Sequence, residues 1–161
     1  MDHPIGKPMV VSANEGRKMF ALGNEIKLKL SSSESGGELY VFEVLSPPGA
    51  VVPPHVHRKE DELIHVIDGE YEIFLDGRTH TAGPGAVVNF PRLIPHGFGN
   101  ISKRPTRALF VVLPGANFEK FFGELCALPA DEPPDMATVT DIFNRYSMDI
   151  LEPPSDIAKI G

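Results

Sequence analysis

The sequence predicts an all-β protein, a sandwich or barrel assembled from many short strands. Two observations support this. The chain has 16 prolines and 15 glycines among 161 residues, which indicates frequent turns. Apolar and polar side chains also alternate through a series of short segments. The length corresponds to one domain, residues 1–161, with a barrel core at about 26–114 and a helical tail at 115–161.

The strand-like segments follow one another from Ile26 to about Leu113. In chain order they are IKLKL, ELYVFEVL, LIHVID, YEIFLD, AVVNF and RALFVVL. Gly69-Glu70 is predicted to be a tight turn, and Asp76-Gly77 a hairpin turn. Alternation in three of these segments predicts the side chains that point inward, namely Tyr40, Phe42, Val44, Tyr71, Ile73, Leu75, Ala108, Phe110 and Val112. The interior is therefore expected to be aromatic and aliphatic.

The periodicity changes after the last strand. NFEKFFGELCAL has helical spacing, with Asn117 as the predicted N-cap. Its apolar stripe consists of Phe118, Phe121, Phe122 and Leu125. A proline-rich loop, PADEPPD, precedes a second short helix in ATVTDIFNRYSM, and LEPPSDIAKIG forms a tail. Neither helix is long enough to be stable alone, so both are predicted to cover or brace the β-domain.

Charge and composition narrow the possible partners. A net charge of −7 without a basic run argues against nucleic acid and anionic membranes. The single cysteine, Cys126, excludes an internal disulfide and is expected to be a buried structural thiol. MDHPIGKPMVV does not have a signal-peptide pattern, and no apolar run approaches the ~20 residues that a membrane helix needs. The expected location is the cytoplasm.

Two stretches contain the candidate functional residues. In PPHVHRKEDELIHVIDG, His55 and His57 lie on one face of a strand, and Glu62 follows a polar turn and can return to the same point. The same parity sends His65 outward. In GPGAVVNFPRLIPHGFGN, His96 opens a further strand. Three imidazoles and one carboxylate suit Fe, Mn, Ni, Co, Cu or Zn. A solvated His-x-His pair is the alternative for the first stretch alone.

Both stretches match the motif spacing of a known family. Gly49-x5-His55-x-His57-x4-Glu62-x6-Gly69 resembles the first cupin motif. Gly85-x5-Pro91-x4-His96-x3-Asn100 resembles the second, except that Leu93 replaces the usual glycine. The chain is similar to small single-domain bacterial cupins that resemble quercetin 2,3-dioxygenase. The resemblance implies a double-stranded β-helix, or jelly-roll, barrel that binds one divalent transition-metal ion through His55, His57, Glu62 and His96.

The resemblance also implies a function. It favours a metal-dependent dioxygenase of the quercetinase type that acts on a small apolar or aromatic substrate. Glu62 would serve as both ligand and general base. The substrate pocket is expected to be lined by Tyr40, Phe42, Phe90, Phe98 and Phe110. Another metal-dependent enzyme, such as an isomerase or lyase, and a non-enzymatic binding or sensing cupin remain open alternatives.

Apolar side chains on the outward face of the strands indicate a protein partner in addition to the small-molecule substrate. These residues are Leu63, Ile67, Phe74 and Val87. Because apolar surface of this extent is usually covered, the chain is predicted to form a homodimer, a common state among cupins. Coverage by the C-terminal helices is the alternative. Of the remaining histidines, His3 is expected in a mobile terminus and His80 on the surface.

Overall fold

The structure is a computed structural model that describes residues 6–152. Within that range the chain forms eleven strands and two helices. Their bounds are β1 Arg17–Ala21, β2 Asn24–Leu30, β3 Tyr40–Ser46, β4 Val51–His57, β5 Asp61–Asp68, β6 Tyr71–Leu75, β7 Arg78–Ala82, β8 Val87–Phe90, β9 His96–Gly99, β10 Thr106–Leu113, α1 Ala116–Leu125, α2 Met136–Arg145 and β11 Met148–Ile150. His3 and most of the predicted tail lie outside the described residues.

The strands form two antiparallel sheets. The first has the order β1-β2-β3-β10-β5-β8, and the second has the order β11-β4-β9-β6-β7. From β3 to β10 the chain repeatedly crosses from one sheet to the other, so neighbours in space are seldom neighbours in sequence. This alternation is the topology of a jelly roll. The predicted all-β class and double-stranded β-helix architecture are therefore confirmed.

The core lies between the two sheets. Eight of the nine predicted inward side chains are buried, and the ninth, Leu75, is half-buried. Register explains this agreement, because directly opposed residues on paired strands share a face. Phe110 on β10 lies opposite Phe42 on β3 and Ile64 on β5, so one apolar row crosses the first sheet.

Two-residue turns join several strands. Gly69-Glu70 connects β5 to β6, and Asp76-Gly77 connects β6 to β7, as predicted. Asp76 and Gly77 both have positive φ, 48° and 77°, as the type I′ hairpin turn requires. The same geometry recurs at Leu22-Gly23, with φ values of 49° and 77°. This turn and the strand before it, β1, were not predicted, because leucine is an unusual residue at that position.

The first C-terminal helix differs from the prediction at its start. Its N-cap is Gly115, not Asn117. Asn117 instead lies in the first turn, where its side-chain amide donates to the carbonyl of Tyr146 at 3.0 Å. The apolar stripe of α1 is buried, as its helical spacing predicts.

The second helix ends earlier than the sequence pattern suggests. It begins after Asp135, whose carboxylate accepts from the backbone N–H of Thr138 at 3.2 Å. Ser147 has a positive φ of 61° and ends the helical path. Met148 and Ile150 then pair with β4 as the short strand β11, although the sequence pattern places Met148 in the helix. No local sequence pattern indicates that Met148 and Ile150 pair with the edge of a strand that is distant in the sequence.

The C-terminal helices pack against the inward side of the barrel and leave two of the outward apolar residues exposed. Phe118, Phe121 and Phe122 of α1 meet the inward side of the barrel. Ile67 and Val87 remain 36% and 62% exposed, so the alternative in which the helices cover the outward apolar residues is wrong for these two. Among the described residues, neither helix is long and apolar enough to cross a membrane.

Candidate metal centre

Four buried side chains from three strands converge at one point inside the barrel. They are His55 and His57 on β4, Glu62 on β5 and His96 on β9. One potential ligand atom from each residue lies within 4.8 Å of the others. His55 is directly opposite His96 in the β4–β9 pairing. Glu62 reaches the same point from β5, which belongs to the other sheet. The four residues that the motifs suggest are thus brought together.

Alternation along the strands determines these positions. His55 and His57 are two residues apart on β4 and point to the same inward face. After the turn, Glu62, Ile64 and Val66 point inward on β5, whereas His65 is exposed, as its parity predicts. The sequence therefore contains enough information to select Glu62 and to exclude His65.

The position where Leu93 replaces the motif glycine preserves the turn. Leu93 has a φ of 69°, in the left-handed region that glycine adopts without strain. Its backbone N–H donates to the carbonyl of His57 at 2.8 Å. The turn before β9 is thereby tied to the strand that supplies two of the four side chains. Leucine makes this positive φ less favourable than glycine would, but the hydrogen bond between the turn and β4 is kept.

The distances between the potential ligand atoms fit a shared metal ion. Nε2 of His55 and Nε2 of His57 are 3.0 Å apart. Oε2 of Glu62 is 3.4 Å from Nε2 of His96 and 3.7 Å from Nε2 of His57. Two ligands at right angles around an ion with bonds of about 2.1 Å would be about 3.0 Å apart. Among the described residues, the buried Nε2 of His96 has no hydrogen-bond partner, as expected for an atom that serves as a metal ligand.

Backbone carbonyls orient two of the imidazoles. Nδ1 of His55 lies 2.8 Å from the carbonyl oxygen of Pro53, and Nδ1 of His96 lies 2.9 Å from that of Ile94. A carbonyl oxygen only accepts, so in both rings Nδ1 carries the proton and Nε2 presents its lone pair inward. A second hydrogen bond of this kind is the usual way in which proteins fix a metal-binding histidine.

Burial favours the neutral form of two of the imidazoles, those of His55 and His57. Burial, together with the neighbouring His96, lowers the pKa of His55 to about 3. Burial and the adjacent His55 and His96 rings hold the pKa of His57 well below its usual range. Neutral imidazoles with free lone pairs at pH 7 are the form that a divalent ion requires.

Aromatic rings surround the histidines. Phe90 stacks on the His96 ring with centroids 4.3 Å apart and an interplanar angle of 12°. Phe118 of α1 lies 5.5 Å from the His57 ring, and Phe143 of α2 meets the His55 ring edge-on at 5.6 Å. The two helices thus complete the wall of the centre. Sequence reasoning did not assign Phe118 and Phe143 to the site. Their helical spacing indicates burial but not the surface against which they pack.

A small chamber adjoins the four side chains. It has a volume of about 60 Å³, and Phe42, Phe98 and Phe110 line it together with residues of the helices. Tyr40 and Phe90, also predicted to line the pocket, do not. Tyr40 is buried beside Phe122, with stacked rings 5.6 Å apart. Phe90 lies behind His96. The lining of this chamber therefore differs from the prediction at these two residues.

The other acids of the first stretch point elsewhere. Asp61 pairs with Arg92, with 2.7 Å between Oδ2 and Nη2, and the bonds from Arg92 lower the pKa of Asp61 to about 2. Glu60 is buried, and its Oε1 accepts from the amide of Asn117 at 3.4 Å. Burial raises the pKa of Glu60. Neither carboxylate belongs to the cluster of four.

Comparison with known proteins identifies the family. Residues 42–112 match the cupin domain family. Quercetin 2,3-dioxygenase of Bacillus subtilis (strain 168) is 30% identical over 109 residues, which are 67% of this chain but 32% of that protein. Polyketide synthase CurC of Streptomyces cyaneus is 24% identical over 109 residues, 67% of this chain and 71% of that protein.

The solved structures support the same assignment. The polyketide cyclase RemF from Streptomyces resistomycificus superposes with a TM-score of 0.59 and 25% identity, over 67% of this chain and 80% of that one. The barrel topology, the two motifs and these matches agree. The chain therefore belongs to the cupin superfamily, with its cupin domain at residues 42–112.

Proposed function

We propose that this protein is a metal-dependent cupin enzyme, a dioxygenase of the quercetinase type that acts on a small apolar or aromatic substrate with an ionisable hydroxyl group. One observation carries the proposal. Three imidazoles and one carboxylate meet beside a chamber whose lining, apart from His55, His57 and Glu62, consists of apolar side chains and one amide, Asn24.

The donor set fits a divalent transition metal. His55, His57, His96 and Glu62 would hold the ion, and four protein ligands leave a position open on an ion that accepts five or six. A bound ion would supply Lewis-acid stabilisation of a substrate oxyanion. Loading the protein with different metals, as described below, distinguishes the candidate ions.

Glu62 is suited to the proton transfer. Among the described residues that line the chamber, it is the only carboxylate. A substrate hydroxyl that enters the chamber would give up its proton to a carboxylate oxygen of Glu62, which leaves the substrate as an enolate or phenolate. Phe118 and Phe143 pack against the histidine rings and keep water away from this oxyanion.

The lining of the chamber supports the substrate class. Among the described residues it contains no lysine or arginine. A phosphorylated sugar would need cationic side chains to compensate its charge, so a sugar-phosphate isomerase is disfavoured. The aromatic walls favour an uncharged group in the chamber. The similarity to the quercetin 2,3-dioxygenase of Bacillus subtilis supports the same class of substrate and reaction.

A non-oxidative reaction on an enolisable substrate is the second candidate. The same centre could stabilise an enolate for isomerisation, elimination or ring closure without oxygen. The similarity to RemF, named a polyketide cyclase, and to CurC, named a polyketide synthase, supports this candidate. Both candidates use Glu62 as the base, so the requirement for oxygen distinguishes them.

Oxygen uptake tests the proposal. The protein is loaded separately with Fe(II), Mn(II), Ni(II) and Co(II) and mixed with a panel of flavonols and small enolisable diketones. We expect uptake with at least one combination, no uptake with His57→Ala, and strongly reduced turnover with folded Glu62→Gln. His65→Ala, on the exposed face of β5, is the matched control and should behave as wild type.

The outcomes separate the candidates. Substrate loss under argon, followed by mass spectrometry, would replace the dioxygenase with the non-oxidative enzyme. No uptake above the His57→Ala background and no anaerobic conversion with any metal would reject both enzymes in favour of a binding or sensing role.

A further inference from the structure

The chamber beside the metal centre is too small for a whole aromatic substrate. Its volume is about 60 Å³. One water molecule needs roughly 10–15 Å³ of such space, so the chamber holds only a few waters. A group with a few heavy atoms can enter, whereas a multi-ring body cannot. The rest of an aromatic substrate must lie elsewhere.

A second and larger cavity adjoins the first. It has a volume of about 280 Å³ and lies between the β1–β2 turn and the loop after α1. Ala21, Leu22 and Leu125 line both cavities. The outer cavity is mostly apolar, and Phe20 on its wall is 51% exposed. Three shared residues therefore lie at the boundary between the chamber at the metal centre and the second cavity, the outer groove.

Leu22 is held in an unfavourable conformation at this boundary. Its φ of 49° lies in the left-handed region, which strains a leucine but not a glycine. Asparagine or glycine normally occupies this position of a type I′ turn. The side chain of Leu22 packs against the core and lines the chamber together with Leu125, which offsets part of this strain. Residues held in strained backbone conformations cluster at functional sites.

We propose that Leu22 and Leu125 form a gate between the two cavities, and that the substrate has two parts. A small chelating head, such as an enol or hydroxy-ketone, passes the gate and reaches Glu62 and the histidines. An apolar aromatic body stays in the outer groove against Phe20. This inference rests on the proposed function, because it assumes that the head binds at the metal centre. Leu22, Leu125 and Phe20 are then specificity-determining residues.

Two probes with the same head test the proposal. Acetylacetone consists of the head alone, and dibenzoylmethane adds two aromatic rings. The chain has no tryptophan, so Phe20→Trp introduces a single fluorophore in the outer groove. Ile101→Trp, at a position that is 63% exposed just after β9, is the matched control. The visible spectrum of the Co(II)-loaded protein reports binding at the metal centre independently of turnover.

We expect both diketones to change the cobalt spectrum. Dibenzoylmethane should quench the indole fluorescence of Phe20→Trp but not that of Ile101→Trp, and acetylacetone should quench neither variant. Leu22→Asn should speed the association of both diketones with the cobalt centre by about tenfold, because the head of each passes the gate, and asparagine removes the apolar barrier and suits a positive φ without loss of the turn. Ile101→Asn controls for loss of an exposed apolar side chain elsewhere.

Each contrary result has a distinct meaning. If dibenzoylmethane changes the cobalt spectrum of Phe20→Trp without quenching its fluorescence, or if Leu22→Asn leaves the association rate unchanged, the gate is rejected and the metal enzyme stands. If the protein takes up no cobalt, the proposed function is rejected, and the two-part substrate with it.

Discussion

At the scale of single residues, the candidate metal centre depends on the orientation of its imidazoles. Backbone carbonyls of Pro53 and Ile94 accept from the Nδ1 atoms of His55 and His96 and direct the opposite nitrogens inward. Nδ1 of His57 has no such partner among the described residues. The His57 ring is held instead by packing against Phe118. Hydrogen bonds therefore orient the His55 and His96 rings, and an aromatic contact orients the His57 ring.

Loss of one imidazole should release the metal. We expect His57→Ala to weaken affinity for Co(II) or Zn(II) by at least about a hundredfold, since even loss of a residue that only orients a ligand costs about 10–100-fold. Metal content after dialysis against a chelator, measured by elemental analysis, checks this. His65→Ala on the exposed face of β5 should retain its metal. Equal occupancy in wild type and His57→Ala would contradict the assignment.

Two buried tyrosines offer a matched comparison of hydroxyl groups. The hydroxyl of Tyr40 has no hydrogen-bond partner among the described residues, whereas that of Tyr71 lies 2.8 Å from Oγ of Ser46. A buried polar group without a partner costs free energy, and a satisfied one contributes about 1 kcal/mol. We expect Tyr40→Phe to leave the free energy of unfolding unchanged or raise it by up to about 1 kcal/mol. Tyr71→Phe should lower it by about 1 kcal/mol.

Urea unfolding of the metal-free proteins measures both changes. Tyr40→Phe should also bind acetylacetone and dibenzoylmethane like wild type, because Tyr40 does not line the chamber. A loss of stability for Tyr40→Phe equal to that of Tyr71→Phe would show that the Tyr40 hydroxyl is satisfied.

At the scale of elements, the two helices act as one cap over the barrel. Tyr146 at the end of α2 donates its hydroxyl to Oε1 of Glu124 on α1 at 2.6 Å, and Arg145 pairs with the other oxygen. The amide of Asn117 on α1 donates to the carbonyl of Tyr146. These bonds join helices that are each too short to be stable alone. The cap in turn positions Phe118 and Phe143 at the metal centre.

Acid should loosen the contact between the helices. The hydrogen bonds from Tyr146 and Arg145 lower the pKa of Glu124. A carboxyl group with a depressed pKa in the folded state stabilises that state above its unfolded pKa of about 4.3, and the effect is lost as the pH falls through the lower folded value. Glu124→Gln removes the charge at every pH. The variant should therefore differ from wild type at pH 7 and approach it as the pH falls below the folded pKa of Glu124.

Hydrogen exchange of residues 136–145 measures the contact directly. We expect faster exchange in Glu124→Gln than in wild type at pH 7. Glu38→Gln, at an exposed glutamate, is the control and should exchange like wild type. Equal exchange in all three proteins at pH 7 would show that the Glu124 bonds do not hold α2 in place.

At the scale of the whole molecule, the outward apolar residues lie on two different surfaces. Leu63, Ile67 and Val87 belong to the first sheet, whereas Phe74 belongs to the second. On the outer face of the first sheet, Leu63 lies opposite Val111 of β10, which extends the apolar area. The prediction of a homodimer thus concerns this face, and Phe74 is not part of it.

We predict a dimer through the outer face of the first sheet. Light scattering at micromolar concentration should give twice the 17.6 kDa mass of the chain. The double variant Ile67→Lys, Val87→Lys places charges on this face and should give the monomer mass. Ile101→Lys, beside the second sheet, should remain dimeric. A monomer mass for wild type would reject the prediction.

The sequence by itself determined the barrel and the four side chains of the metal centre. Strand alternation selects one face of each strand, and the two motifs select His55, His57, Glu62 and His96 on those faces. Both signals are local, so they can be read without knowledge of the packing. The resemblance to cupins adds the topology that brings the three strands together.

Only the tertiary structure decided what surrounds the metal centre. Tyr40 and Phe42 share the same face of β3, so alternation cannot distinguish them, yet only Phe42 lines the chamber. Helical periodicity shows that Phe118 and Phe143 are buried but not that they meet His57 and His55. The proposed gate joins two leucines that are far apart in the sequence. Such contacts depend on how a helical cap packs on a barrel, which no local pattern encodes.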